Sequence, residues 1–460
     1  MLKTMLRPAW GLVYCTNRLG LSRTIPSCYY SVASAIEPVK EDTKNAENAP
    51  RITRDAIYVN SNTYPTDSYT NITPSILAKT TRRLHLNPRH PVSIVRSLIE
   101  SHFGHFTPFN NFSPVVTTRQ NFDDLGFPAD HPGRAPSDTY YLNENILLRT
   151  HTSAHQLEGL RSGKSKFLIS ADVYRRDEID ATHYPVFHQM EGFQYFEAKA
   201  VEEQIKADMA LRKNGQWDRY AQDETRISDQ NPIQACHDPV ASHLVGNHLK
   251  WALEGMIRSV FGLASNGSED IKVRWIDAYF PFTSPSWEME VFFRGQWLEV
   301  CGCGVVQQNI MNMAGLHEKI GWAFGFGLER IAMVLFEIPD IRLFWSTDER
   351  FLSQFQPGTI TKFQPFSKFP PCPKDVSFWL NDPNRFHEND ICSVIREVAG
   401  DIVEDVKKID DFTHPKTNRR SLCYRIVYRS MDRNVTNDEI NSIQEKVRQE
   451  IVEKLNVELR

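Results

Sequence analysis

Nowhere does the chain run through eighteen uninterrupted apolar residues, so nothing in it reads as a membrane-spanning helix. Charge of one sign is not in excess either. The 53 Lys and Arg stand against 57 Asp and Glu, and a net charge of −4 announces no global field for a nucleic acid. Cysteine is sparse and scattered, at 15, 28, 236, 301, 303, 372, 392 and 423, with only Cys301-Gly302-Cys303 close-set. A single C-x-C without a second pair makes a poor zinc site, and the pattern reads as free thiols in a reducing compartment. Neither G-x-x-x-x-G-K-[ST] nor G-x-G-x-x-G occurs in a suitable setting, which disfavours P-loop and Rossmann modes of phosphate binding.

Acid is missing from residues 1–35, where Lys3, Arg7, Arg18 and Arg23 are spread among Ser, Thr and apolar residues. That composition predicts an organelle transit peptide over residues 1–40, mitochondrial in type. The acidic, polar Glu37–Asn48 leads into an N-terminal extension spanning 41–74. The remaining length allows two or three domains with proper cores.

What is present is organised around Phe167–Phe193. Phe167–Arg175 and Pro185–Phe193 alternate as strands, joined by the polar loop Arg176–Tyr184. On the second strand Phe187, Gln189, Glu191 and Phe193 share one face, with His188 and Met190 on the other. An aromatic ring, an amide and a carboxylate on one face suit a pocket that grips a small polar molecule with a flat ring. Arg175, His183 and Arg330 are groups that can hold a polyphosphate, and Phe187 can stack on a heterocycle with Arg330 over its other side. Taken singly each has a plainer reading, Phe187 as core and Arg330 as partner to a nearby acid; the combination carries the weight.

Around this hairpin, Val92, Ile94, Val95, Leu98 and Ile99 after Pro91 predict a helix ending near Gly104. A strand through Leu147–Thr150 turns a polar corner into a helix capped by Ser153. Ala198–Ala235, charged and poor in apolar anchors, reads as a solvated helical excursion or insertion. His243–Phe261 forms an amphipathic helix, Ile271–Phe282, Trp287–Phe293 and Gln296–Cys301 are strands, and Trp322–Gly327 runs into a helix at Leu328–Ile338. The glycines of Cys301-Gly302-Cys303-Gly304 allow close approach to backbone. Antiparallel strands with helices on one side imply an α+β unit over 75–350.

After a linker at 351–361, residues 362–460 read as a separate βαββαβ unit of ferredoxin type. Its strands are expected at Val376–Leu380, Val403–Phe412 and Ser421–Arg429, and its helices at Asp390–Val398 and Asp438–Leu455. Its basic groups cluster locally: Lys416, Arg419 and Arg420 in a loop, then Arg425 and Arg429 on one strand face, backed by Tyr424 and Tyr428. These fit an ordinary solvated surface and an RNA contact equally well.

VYRRDEIDATHYPVFHQMEG resembles motif 2 of the class II aminoacyl-tRNA synthetases in the phenylalanine-specific form. GWAFGFGLERIAMVLFEIPDIRLFW resembles motif 3, HPVSIVRSLIE motif 1, and LLRTHTSAHQ and YFPFTSPSWEMEV fit the same family. The tail resembles the family's anticodon-binding domain, so the likeness covers nearly everything from residue 75 to 460.

The resemblance implies a class II antiparallel sheet flanked by helices plus a ferredoxin-like domain. It implies ATP-dependent charging of mitochondrial tRNA(Phe) with L-phenylalanine through a phenylalanyl-adenylate. Mg2+ would accompany ATP, no organic cofactor would be tightly bound, and a monomer would act in the mitochondrial matrix. By the same resemblance Arg175 holds the α-phosphate, with Asp177, Thr182, His183 and Tyr184 near the remaining phosphates and adenine. Phe187 and Arg330 sandwich the adenine, above Glu299, Val300 and Cys301, with Glu299 a magnesium ligand. On the amino-acid side stand His151, Ser153, Ala154, His155 and Gln156. Gln189 and Glu191, flanking Met190, take the ammonium; Phe280 and Phe282 clasp the ring; Ala323 and Phe324 close the floor. Lys416, Arg419, Arg420, Arg425 and Arg429 face tRNA.

One departure stands out: Ser284 occupies a position where the bacterial catalytic subunit has Glu, so no metal ligand carries over there. The rival readings are a synthetase-like RNA-binding protein without chemistry and an ATP-dependent amide ligase that uses no tRNA. Removal of 362–460 is expected to spare adenylate formation and cripple charging.

Overall fold

The computed structural model describes residues 49–211, 221–264, 271–293, 296–365 and 369–460; the expected leader 1–40 lies outside them. The extension forms a small sheet, Arg51–Ile52, Ala56–Val59 and Asn62–Pro65. Helix α1 is Pro91–His102, with Pro91 in its first turn and the His90 ring accepting from the Val92 N–H at 3.3 Å. Next in chain order come β1 (Thr107–Phe109), α2 (Gln156–Arg161), β2 (Lys166–Tyr174), β3 (Val186–Glu197), α3 (Val201–Leu211) and β4 (Gln222–Asp223). Then follow α4 (Pro239–Ala264), β5 (Val273–Phe280), β6 (Thr283–Phe293), β7 (Gln296–Val306), β8 (Lys319–Gly327) and α5 (Leu328–Phe336).

These strands form one eight-stranded sheet in the order β4-β5-β6-β7-β8-β3-β2-β1. The six central strands are antiparallel; β1 and β4 pair in parallel at the two edges. Helices α1, α4 and α5 cover one face. The apolar periodicity explains this: Val92, Val95, Ile99, Leu253, Met256, Ile257, Ile331 and Leu335 are all buried in the core beneath them. Each such side chain contributes roughly 1.5–3 kcal/mol by leaving water. The opposite face of β3 is left to carry Gln189 and Glu191.

The tail folds as β9 (Cys372–Leu380), α6 (Glu388–Ala399), β10 (Val403–Thr413), β11 (Arg420–Tyr428), α7 (Asn437–Leu455) and β12 (Val457–Leu459). Its all-antiparallel order β10-β11-β9-β12 is the ferredoxin-like arrangement. Tyr424 and Tyr428 are buried in its core, as their shared face predicts. The stretch 351–361 is not a plain linker: Phe351 and Phe355 are fully buried in the core of the larger unit.

The two units are stitched together. Arg176 pairs with Asp390 at 3.0 Å, and Arg342 donates to the carbonyls of Asp401 and Arg429, each at 3.1 Å. Ile179, in the loop between β2 and β3, is buried in the tail's own core beside Ile391 and Cys392. The loop that lines the cavity therefore leans on the tail, which bears on the expectation that removing 362–460 spares adenylate formation.

Candidate active site

A cavity of about 750 Å³ opens on the polar face of the sheet. Strand alternation sets its lining. Phe187, Gln189 and Glu191 of β3 turn into it, while His188 and Met190 go to the helix-covered face. Arg175 follows directly on β2, its Nε donating to the Thr150 carbonyl at 2.8 Å and its guanidinium carbon lying 5.3 Å from the centre of the Phe187 ring. Burial draws its pKa below the ordinary arginine value, with Asp177 and Glu299 pulling the other way. Arg330, at the start of α5, is half-exposed and leans on Glu299, 3.5 Å away. The loop contributes Asp177, Thr182, His183 and Tyr184 to the lining. The His183 ring meets Asp180 at 2.7 Å. Burial alone would lower its pKa, but the hydrogen bond and charge of Asp180, with Asp177 and Glu178, outweigh burial and raise it.

At the other end, Phe280 and Phe282 stack at 5.8 Å on the tip of the β5–β6 hairpin and face His151, itself stacked on Phe127 at 5.4 Å. Gly302 makes room for them, since a Cβ there would fall 2.7 Å from the Phe280 ring. Ala323 and Phe324 close the floor. Glu191, 2 % exposed, receives the Gln156 amide at 2.9 Å on Oε1, and its Oε2 has no hydrogen-bond partner among the described residues. Burial pushes its pKa up to about 7; Ser153, Thr152 and Gln156 favour the charged form and offset only part of that. Gln189 Oε1 accepts from the Thr152 N–H at 3.2 Å. The floor thus offers an unsatisfied carboxylate oxygen beside an amide, suited to a cationic donor, one end of an aromatic slot.

Of the expected residues, Ala154, His155, Gln156, Met190 and Cys301 do not line the cavity. Gln156 stands behind Glu191, holding it. His155 stacks on Phe112 at 4.5 Å and receives Arg149 at 2.9 Å, inside the wall. Ser153 caps no helix; a 3-10 turn, Thr152–His155, precedes α2 and turns its hydroxyl toward Glu191. Cys301 faces the core because β7 carries an extra residue, Val300, between the pairs Met289–Cys301 and Glu290–Glu299. Lining residues that the sequence reading passed over include Phe127, Thr152 and Tyr279. Phe127 sits in an irregular stretch with no periodicity to single it out.

Comparison with known proteins follows the same lines. The family described as tRNA synthetases class II core domain (F) matches residues 76–207 and 235–355, and the ferredoxin-fold anticodon binding domain matches 367–460. The phenylalanine–tRNA ligase, mitochondrial, of Saccharomyces cerevisiae is 49% identical over 445 residues, covering 88% of this chain and 95% of the relative. This chain belongs to the phenylalanine-specific class II aminoacyl-tRNA synthetases. The chloroplastic/mitochondrial phenylalanine–tRNA ligase of Arabidopsis thaliana is 48% identical, covering 86% of this chain and 83% of that one. The phenylalanine–tRNA ligase alpha subunit of Synechocystis is 36% identical over 58% of this chain and 67% of its own length.

Glu299, which lines the cavity, has two further acids, Glu288 and Glu290, on the neighbouring strand β6. Burial pushes the Glu288 pKa up, as do the charges of Glu299 and Glu290. Like-charge crowding of that kind is what a divalent cation relieves. Ser284 takes no part; its hydroxyl donates to the Pro232 carbonyl at 2.6 Å. A second cluster, Glu178, Asp180 and His183, lies in the loop with its ligand atoms within 4.8 Å of one another.

The tail's basic groups are not bare. Arg419 pairs with Glu458 at 2.5 Å, Arg420 with Asp411 at 2.6 Å and Arg425 with Asp375 at 2.8 Å, all solvent-exposed. Arg429 leaves the strand face expected of it: it follows the end of β11 and pairs with Glu404 at 3.0 Å, at the seam with the larger unit. Lys416 sits in the exposed loop before β11.

Proposed function

We propose that this synthetase charges mitochondrial tRNA(Phe) with L-phenylalanine, acting as a monomer in the matrix, with domains divided near 75–350 and 362–460. The observation that carries the reading is the buried Glu191 with its free carboxylate oxygen, set between the Phe280–Phe282 rings and Arg175. A benzyl side chain fits the apolar end, its ammonium meets Glu191 and Gln189, and its carboxylate then points toward the phosphate end.

In the first step the phenylalanine carboxylate attacks the α-phosphate of ATP in line and pyrophosphate leaves. Arg175, held rigid by the Thr150 carbonyl, neutralises charge gathering on the α-phosphate, a role worth several kcal/mol in a water-poor site. Phe187 offers a face for the adenine ring, with Arg330 free to swing off Glu299 and cover its other side. His183, whose pKa Asp180 raises, stands ready on the loop for the departing phosphates. ATP brings Mg2+ as its counter-ion, and Glu299 with Glu288 would hold it. In the second step the 2′-hydroxyl of the terminal tRNA adenosine takes the acyl group and AMP leaves. No covalent enzyme intermediate is involved; alignment and charge neutralisation do the chemistry.

An inactive RNA-binding relative would have no use for Arg175, Gln189, Glu191 and Arg330 in one cleft. ATP–pyrophosphate exchange across the twenty amino acids tests the reading: phenylalanine alone is expected to support rapid exchange, with tyrosine a weak second. Charging of mitochondrial tRNA then separates the synthetase from an amide ligase. Exchange with no amino acid, or equally with all, would overturn it.

A further inference from the structure

The segment 226–235, the end of the stretch read from sequence as a solvated excursion, makes an unusual set of hydrogen bonds. Asn231 is 5 % exposed. Its Oδ1 accepts from the Ser286 N–H at 2.7 Å, and its Nδ2 donates to the Ser286 carbonyl at 2.8 Å and to Asp277 at 2.9 Å. Ser286 keeps Ala278 and Gly304 as its strand neighbours, and this one side-chain amide takes both of its backbone groups and ties the two arms of the β5–β6 hairpin together. Gln234 does the same a few residues on. Its Nε2 donates to the carbonyls of Ser284 at 2.9 Å and Val306 at 3.0 Å, and its Oε1 accepts from the Gln308 N–H at 2.8 Å.

These bonds fall near the hairpin tip, where the β5–β6 ladder and the β6–β7 ladder each break. Pairing is irregular between Ala278 and Phe280 and between Thr283 and Ser286, so backbone groups at the tip lack regular partners. Between those two breaks sit Phe280 and Phe282. Buried backbone groups must be satisfied somewhere, and here two side chains supply what the sheet does not. Residues 208–234 also fall between the two matched stretches of the family's core, so both side chains lie outside that match.

We infer that Asn231 and Gln234 are positioning residues for the amino-acid subsite: they fix the β5–β6 tip so that Phe280 and Phe282 hold one slot for the substrate ring. The inference rests on the proposed assignment of that slot to phenylalanine. Arg175, Phe187 and Arg330, which the nucleotide side uses, receive no bond from either side chain.

The experiment is steady-state ATP–pyrophosphate exchange with full-length protein, wild type, Asn231→Ala and Gln234→Ala, varying phenylalanine and ATP separately. Calorimetric titration with L-phenylalanine and a thermal melt accompany it. The expected result is a phenylalanine KM and Kd raised about tenfold in either variant, since each loses three buried or part-buried hydrogen bonds, with the ATP KM within about twofold of wild type. Discrimination against tyrosine falls in parallel. Should Asn231→Ala not fold, the half-buried Gln234 provides the test by itself. Both KM values rising together, or neither, would overturn the positioning role while leaving the function standing. Wild-type protein without phenylalanine-dependent exchange would overturn both.

Discussion

Glu191 gives the sharpest test of how substrate is held. Buried and with one oxygen unpartnered, it has a pKa of about 7, against an ordinary 4.5. The folded, ligand-free protein therefore binds a proton that the unfolded chain releases. As pH rises from 4.5 through 7, stability is lost, by about 3 kcal/mol for a shift of that size. A substrate ammonium seated against the carboxylate restores it. At pH 6 only about a tenth of the molecules carry the carboxylate, and at pH 8 about nine-tenths do, so phenylalanine affinity should rise about tenfold between them. Calorimetric titration at both values, each in two buffers of different ionisation enthalpy, reads the affinity and the proton release directly. Below pH 7 binding should expel close to one proton. Glu191→Gln should abolish both the proton release and the pH dependence, and weaken binding by about 10- to 100-fold, the worth of a charge-assisted bond. Equal affinity at pH 6 and pH 8 with no proton exchange would refute the assignment of the ammonium to Glu191.

Arg175→Ala should cut exchange by about 10³-fold or more while phenylalanine affinity by calorimetry stays near wild type, because its charge serves the phosphate in the transition state. His183 has a raised pKa, so its charge is present below about 6.5 and is lost as pH climbs through the raised value. The ATP KM should rise a few-fold from pH 6.5 to 8.5, and His183→Ala should flatten that profile. Deleting 362–460 exposes Ile179 and frees Arg176, so exchange should fall with charging, not survive it; full exchange in the truncated protein would show the loop stands unaided. An apolar slot rejects an added hydroxyl only weakly, so Tyr-tRNA should form measurably and persist with the pure protein. Its rapid deacylation would contradict this.

Much of the site was legible because it sits on strands. Alternation along β3 separates Phe187, Gln189 and Glu191 from His188 and Met190, and the structure places the two sets on opposite faces. The tail was legible for a related reason: buried Tyr424 and Tyr428 repeat at the spacing that a half-buried strand and its turn dictate. Alternation fails where a strand is irregular. Val300 is an extra residue in β7, and it turns Cys301 inward against the simple count. The Asn231 and Gln234 bonds reach partners 46 to 74 residues away and leave no periodic mark, so a polar, charged segment read as solvated. The burial of Ile179 in the tail's core was equally unreadable, since an isolated isoleucine in a polar loop does not say which surface covers it.

The great sheet ends at both flanks in strands of two or three residues, Gln222–Asp223 on one side and Thr107–Phe109, with Pro108 in its middle, on the other. Neither border is long enough to template a neighbour's backbone, and a proline removes one of the few donors on offer. Two copies meeting at these two bordering strands would find almost no ladder to extend along them.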